Sequence, residues 1–178
     1  ENALAMQSVY LNSVKAIDAA FDDSIHLSRG QSGQRKVAEF LKNQLLNSPF
    51  TDHTGIQNDY SIRCLPQIFG PKIELMIDLY KNVKNELNAV TDNPLVYKNE
   101  EISKDINEKR LFSFKGNNWT VLSGGNFHGE YMATAADCLA MANSKIALTM
   151  ERQMTYLLNP DRNGRLFPTY LVADKKNI

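Results

Sequence analysis

The sequence has few of the residues that build disulfide frameworks and zinc sites. Only two cysteines occur in 178 residues, Cys64 and Cys138, and no CxxC spacing links them. We therefore expect neither a disulfide-stapled fold nor a metal site, and a reducing, cytoplasmic setting is favoured. No apolar run is long enough to span a bilayer and no signal-like segment opens the chain, so we expect no membrane contact.

An excess of either charge is also absent. Lys plus Arg total 20 and Asp plus Glu total 20, so there is no global field to attract nucleic acid, and we expect no nucleic-acid partner. A chain of 178 residues is long enough to bury one hydrophobic core. Because the chain opens without Met on a helix-like pattern and ends without a closing element, we expect residues 1–178 to form a single helical segment of a longer protein.

Helical periodicity dominates what is present. Apolar residues recur at mostly three- and four-residue spacings in four segments, which predicts helices over residues 3–21, 34–46, 71–90 and 126–158. The segment 71–90 has a heptad-like seam, typical of a helix packed nearly parallel to its neighbours. No β-pattern of comparable strength occurs. The predicted fold class is all-α, a bundle of long, roughly antiparallel helices.

Three stretches between these helices are predicted to be irregular. Residues 25–33 are rich in Ser, Gly and Gln and are predicted to form a loop, which would leave His26 exposed. A polar loop with a second exposed histidine, His53, is predicted to run to about Asn58. Residues 98–120 are crowded with charges and are predicted to be an exposed loop or hairpin.

A dense polar cluster lies at residues 57–63, which read QNDYSIR. If this segment is helical, Gln57, Tyr60 and Arg63 fall three apart along one face. A guanidinium pairs bidentately with a carboxylate, and a phenol donates hydrogen bonds or moves a proton. The cluster therefore suits an amino-acid-like substrate, although a solvated helix start with one salt bridge is the competing interpretation.

A second polar segment, the glycine strap, covers residues 123–129 and reads SGGNFHG. Its two adjacent glycines allow close backbone approach and conformations closed to other residues. Asn126 is predicted to cap the helix that follows, with Phe127 and His128 in its first turn. The exposed amides of such a helix start favour a carboxylate.

Together these strings resemble the histidine ammonia-lyases, within the aromatic amino acid ammonia-lyase and aminomutase superfamily. Residues 57–67, QNDYSIRCLPQ, are similar to that family's Gln-Asp-x-Tyr-Ser-x-Arg-Cys-x-Pro-Gln segment. Residues 85–96, NELNAVTDNPLV, resemble its Glu-x-Asn-x-x-x-Asp-Asn-Pro-Leu stretch, and the strap resembles its Ser-Gly-Gly-Asn-Phe-His segment. The pair Gly33-Gln34 is a weaker match.

The resemblance implies elimination of ammonia from an aromatic L-amino acid, assisted by a methylidene-imidazolone prosthetic group. The family forms that group from an internal Ala-Ser-Gly. This sequence has no such triplet, so the group would come from an upstream region of a full-length enzyme, and no residue of this chain is expected to form it. The isolated segment is therefore expected to be inactive.

The resemblance also assigns roles. Tyr60 and Arg63 would be the catalytic pair, with Arg63 on the substrate carboxylate and Tyr60 assisting proton transfer or orienting the amine. Gln57, Asn126 and Phe127 would bind the substrate or shape its pocket. The family assembles as homotetramers of long helices, with active sites shared between subunits.

Two departures and two alternatives accompany this interpretation. Asn58 stands where the family has Asp, and the interval that includes residues 98–120 is longer than expected for bacterial histidine ammonia-lyases. A tyrosine ammonia-lyase or tyrosine aminomutase shares the same strings. A non-catalytic helical oligomerisation scaffold is the alternative from another class.

Overall fold

Helices make up most of the protein, as the all-α prediction requires. A computed structural model describes residues 2–101 and 111–173. Its helices are α1 (Asn2–Ser13), α2 (Asp23–Arg29), α3 (Ser32–Leu45), α4 (Tyr60–Arg63), α5 (Leu65–Glu86) and α6 (Glu130–Leu158). Three short strands, β1 (Leu95–Lys98), β2 (Leu111–Phe114) and β3 (Asn117–Leu122), lie between α5 and α6. No helix in the described ranges is both long and apolar enough to cross a membrane.

The chain divides into two compact units. One comprises residues 1–78 and 138–178, and the other comprises residues 79–137. The first unit holds the main hydrophobic core, where residues from α1, α3, α4, α5 and the segment between α1 and α2 meet with 4% exposure or less. Its members are Leu11, Val14, Ala16, Phe21, Val37, Leu41, Leu45, Ile62, Leu65 and Phe69.

In the first unit, α3 and α5 approach so closely that no side chain fits between their backbones. A Cβ atom added at Gly33 would lie 2.6 Å from the Gly70 carbonyl oxygen, and one added at Gly70 would overlap the Gln34 nitrogen. Across the same contact, the Glu74 carboxylate accepts hydrogen bonds from the Gly33 amide at 2.7 Å and the Ser32 hydroxyl at 2.6 Å. A carboxylate at a helix start satisfies free amides and complements the helix dipole. These bonds hold the pKa of the Glu74 carboxyl below its usual value.

The second unit contains an antiparallel sheet with the strand order β1-β3-β2. The central strand β3 pairs Thr120 with Tyr97 of β1, and Trp119 with Phe112 of β2. The sequence pattern missed this sheet because its strands are only four to six residues long and β2 is exposed along its whole length. The sequence predicts either an exposed loop or a hairpin for residues 98–120, and β2 and β3 form a hairpin in the described part of this range. Residues 102–110 lie outside the described ranges.

Several predicted helix boundaries need correction. The segment 3–21 is not one helix: α1 ends at Ser13, and a separate 3-10 turn covers Asp18–Phe21. Residues 25–33 are not a loop, because α2 occupies Asp23–Arg29, capped by the Asp22 side chain and closed by Gly30 at φ 74°. The fifth helix starts six residues before Pro71, which lies inside it. Only α3 agrees with its predicted bounds to within two residues.

Candidate functional site

The Tyr60–Arg63 turn is built by local capping. The Asp59 side chain accepts hydrogen bonds from the Ser61 amide at 2.9 Å and the Ser61 hydroxyl at 2.7 Å. An aspartate at this position satisfies an amide that has no partner within the helix. Asp59 thus starts α4, which is a single turn of four residues.

This turn buries its middle and exposes its ends. Ser61 and Ile62 are buried, whereas Tyr60 is 71% exposed and Arg63 is partly buried. The Arg63 guanidinium carbon lies 4.4 Å from the centre of the Tyr60 ring, within the range of a cation–π contact. The structure therefore brings the predicted pair together, with the Arg63 guanidinium over the Tyr60 ring.

Gln57 and Arg63 line the same cavity, but they do not lie on one face of a helix. Gln57 precedes α4 in irregular chain, so the predicted helical alignment of residues 57, 60 and 63 is wrong. Gln57 and Arg63 instead line the same cavity of about 280 Å³, which we call the arginine cavity. Arg63 Nε and Gln67 Oε1, both from residues lining it, are buried without a hydrogen-bond partner in the described part of the chain.

Tyr60 contributes to a second cavity of about 410 Å³ in the same unit, the tyrosine cavity. Arg152 and Arg162 also line it, so it carries two further cations beside the phenol. Cys64 belongs to the linings of both cavities. Burial raises the pKa of the Cys64 thiol, which favours the protonated form and makes it a weak nucleophile.

His26 is buried next to two residues that line the arginine cavity, and its predicted exposure is wrong. His26 was expected to be exposed in a loop, but it lies in α2 and is fully buried. Its Nε2 donates to the Ala20 carbonyl at 3.2 Å, and its Nδ1 accepts from Gln34 Nε2 at 2.9 Å. Ala20 and Ile25 are lining residues of this cavity. The burial had no local signal, because both partners come from other segments.

In the second unit, the glycine strap is held by Asn93. The Asn93 Oδ1 accepts from the Gly124 amide at 2.7 Å and from the Ser123 hydroxyl at 3.1 Å. The Asn126 side chain donates to the Val90 carbonyl at 3.2 Å. Phe127 is 62% exposed and available to line a pocket.

Three expectations for the strap are corrected. Asn126 does not cap the next helix, since α6 begins at Glu130 and Asn126 instead bonds to Val90. His128 therefore precedes the helix. Gly124 and Gly125 have no positive φ, and a Cβ added at either would meet nothing within 4 Å among the described residues. Within this chain, then, neither an unusual conformation nor a close approach requires glycine at these two positions.

A family model described as aromatic amino acid lyase matches residues 1–178. The chain belongs to this family. A histidine ammonia-lyase from Legionella pneumophila is 35% identical over 98% of the chain, and one from Treponema denticola is 35% identical over 94%. These alignments cover 31% and 30% of the two relatives, so the chain spans about a third of their length.

Solved structures agree with this family and its helical fold. The crystal structure of histidine ammonia-lyase from Trypanosoma cruzi aligns with a TM-score of 0.72 and 30% identity, over 94% of this chain and 27% of that one. Phenylalanine ammonia-lyase from Rhodosporidium toruloides aligns with a TM-score of 0.81 over 99% of this chain and 24% of that one. Its identity of 23% supports the fold alone.

Proposed function

We propose that this chain is a segment of an ammonia-lyase that eliminates ammonia from L-histidine to give urocanate. The observation that carries the proposal is the contact of Arg63 with Tyr60, together with the cavity that Arg63 and Gln57 both line. The identity to histidine ammonia-lyases over nearly the whole chain supports histidine as the substrate.

Arg63 is proposed to hold the substrate carboxylate. The guanidinium has five N–H donors in a planar fork, and its Nε–H has no partner among the described residues. Stacking on Tyr60 restricts the side chain before the substrate arrives. A restricted fork loses less conformational entropy on binding.

The other predicted residues take supporting roles. Tyr60 is proposed to orient the amine or move a proton, because its exposed phenol lies beside the guanidinium that holds the carboxylate. Gln57 is proposed to donate or accept a hydrogen bond from its place in the arginine cavity. Asn126 and Phe127 are proposed to shape an apolar pocket wall for the ring, with the strap fixed at Val90 and Asn93.

A methylidene-imidazolone group is proposed to belong to the full-length enzyme and to arise outside these 178 residues. It would supply the electrophile that makes the amino group a leaving group. The residues present suit such a partner: the arginine would hold the substrate carboxylate, the exposed phenol would orient the amine or assist proton transfer, and neither side chain is an electrophile. The isolated chain is accordingly expected to be inactive.

The full-length enzyme is proposed to assemble into a homotetramer in the cytoplasm. The last turns of α5 and the residues just after it carry large apolar side chains that are open to solvent in the chain alone, such as Tyr80 at 69% and Leu87 at 80% exposure. Exposed apolar patches of this kind are typical of interfaces. Active sites shared between subunits would also explain why no complete site is present here.

The proposal is tested in the full-length enzyme that contains this segment. We expect urocanate from L-histidine, and an Arg63→Ala variant with a KM raised about 30-fold or more, because truncating one partner of a buried charge pair costs roughly 2–5 kcal/mol. Arg35→Ala is the matched control, since Arg35 is exposed and paired with Asp23.

Three results would contradict the proposal. Turnover of L-tyrosine in place of L-histidine would favour the tyrosine lyase or aminomutase alternative. Release of no ammonia from any aromatic amino acid would favour the scaffold. An unchanged KM and rate in Arg63→Ala would remove Arg63 from its role.

A further inference from the structure

A buried amide cluster lies directly beneath the Tyr60–Arg63 turn. Gln7 of α1, Ser61 of α4 and Gln153 of α6 are all nearly inaccessible, with 2%, 6% and 4% exposure. Gln153 Nε2 donates one hydrogen bond to the Ser61 carbonyl oxygen at 2.9 Å and another to Gln7 Oε1. Gln7 and Gln153, which are 146 positions apart in sequence, are thus joined to each other, and Gln153 alone bonds to the Ser61 carbonyl.

The chemistry of the three groups fixes their orientation. A backbone carbonyl only accepts hydrogen bonds, so Gln153 must present its amino group to Ser61. The second N–H of that group then needs an acceptor, which Gln7 provides with its oxygen. A buried amide without partners is costly, so each member holds the others in place.

The turn above the cluster cannot set its own position. A helix of four residues is far too short to be stable by itself, so tertiary contacts must locate it. Two of its buried contacts are made by Ile62 in the core and by the Ser61 carbonyl, which accepts from Gln153. Tyr60 and Arg63 flank these two residues in the same single turn, so any shift of the anchor moves both functional side chains together.

We propose that Gln153, supported by Gln7, is a positioning residue that sets the placement of Tyr60 and Arg63 for the substrate. It touches neither substrate nor reacting atoms and acts through the Ser61 carbonyl. The inference rests on the proposed function for its kinetic consequence, but its structural consequence stands without it.

The main test is Gln153→Met in the full-length enzyme, which keeps side-chain volume but removes both donors. Misplacement of about 1 Å at a reacting centre costs roughly 100-fold in rate, so we expect kcat/KM to fall between about 10- and 100-fold. Gln7→Met should fall less, because the bond from Gln153 to Ser61 survives. If Gln153→Met does not fold, Gln7→Met carries the test.

Asn163→Leu is the matched control. Asn163 is a second buried amide that donates two hydrogen bonds to backbone carbonyls, those of Tyr156 and Leu157, each at 3.1 Å. Asn163→Leu and Gln153→Met should each lower the melting temperature of the enzyme, but only Gln153→Met should lower kcat/KM. Equal melting losses with unchanged kinetics in both would overturn the inference.

A double-mutant cycle with Arg63→Lys separates positioning from general loss of stability. Because Gln153 acts through the turn that bears Arg63, the combined loss should be smaller than the product of the two single losses. Independent, multiplying losses would overturn the inference.

A crystal structure of Gln153→Met distinguishes failure of the inference from failure of the proposed function. We expect the Cα atoms of Tyr60 and Arg63 to shift by about 1 Å, the displacement that the kinetic argument assumes. Unmoved atoms would overturn the inference even if the enzyme turns over L-histidine. Absence of lyase activity would refute the proposed function, and the shift would still decide the inference.

Discussion

Asn93 holds the backbone of Gly124: its Oδ1 accepts a hydrogen bond from the Gly124 amide at 2.7 Å. The same oxygen accepts from the Ser123 hydroxyl. One amide therefore ties the glycine strap to the segment that follows α5. The strap carries Phe127 three residues later, so this contact reaches the proposed pocket wall.

Replacing Asn93 by Ala should loosen the strap and lower activity in the full-length enzyme. Two hydrogen bonds are lost, each contributing about 1 kcal/mol, and we expect kcat/KM to fall by up to about 30-fold, since about 1.4 kcal/mol corresponds to a factor of ten. Asn93→Asp is the control because it keeps the accepting oxygen. Equal losses in both variants would show that the acceptor is not what matters.

Gly33→Ala should destabilise the protein. The new methyl group would overlap the Gly70 carbonyl and the Glu74 side chain, and overpacking of this kind typically costs about 1–3 kcal/mol. Thermal or denaturant unfolding measures the change. Gly129→Ala is the matched control, since an added Cβ there meets nothing within 4 Å. A Gly33→Ala protein as stable as the control would mean that α3 can move away from α5.

His26 should make stability sensitive to acid. Burial lowers the pKa of the imidazole, and it outweighs the nearby Asp23 and Asp22 carboxylates, which favour the charged form. Since the folded pKa lies below the ordinary value of about 6.5, the unfolded state takes up the proton first as pH falls. The stability held by neutral His26 is therefore complete above about pH 6.5 and decreases below it.

The measurement for His26 is the melting temperature between pH 7.5 and 5, a range chosen to bracket an ordinary histidine pKa of about 6.5. In His26→Gln, where an amide can still donate to Ala20 and accept from Gln34, the decrease below pH 6.5 should become shallower. His53→Gln removes an exposed imidazole and serves as the control. An unchanged slope in His26→Gln would assign the acid sensitivity to other groups.

Tyr80→Asp should weaken the proposed tetramer. An exposed tyrosine on α5 costs little to replace in a monomer, but a carboxylate buried in a helical interface costs several kcal/mol unless it is paired. Analytical ultracentrifugation of the full-length enzyme should show dissociation to smaller species. Lys84→Glu, an exposed charge reversal one turn later in the same helix, should dissociate it less.

Local features were predictable from the sequence, and long-range pairings were not. The helix α3 was placed to within two residues because Val37, Leu41 and Leu45 repeat at helical spacing over a long segment. Tyr60 and Arg63 were found as a pair because they lie three residues apart in one turn. The helix α2 was missed because it has seven residues with loop-like composition, and its stability comes from the caps at Asp22 and Gly30.

Pairs of buried polar residues show most clearly what the sequence alone does not predict. Nothing near Gln7 in the sequence predicts that it meets Gln153, because the pairing depends on how α1 and α6 pack. His26 shows a limit at shorter range: its partners Ala20 and Gln34 lie only six and eight residues away, yet its polar surroundings suggest exposure. Polar residues in cores become recognisable only once the tertiary contacts are known.

The contact between Gly33 and Gly70 also constrains how this sequence can change over time. Each glycine lies against the backbone of the opposite helix, so a side chain gained at one position is not accommodated by a substitution at the other, which is already the smallest residue. Only a shift of a whole helix makes room, and that shift would move the Gln34 and His26 pair beside the arginine cavity. Sequence change at these two positions is therefore coupled to the shape of the arginine cavity, although neither glycine lines it.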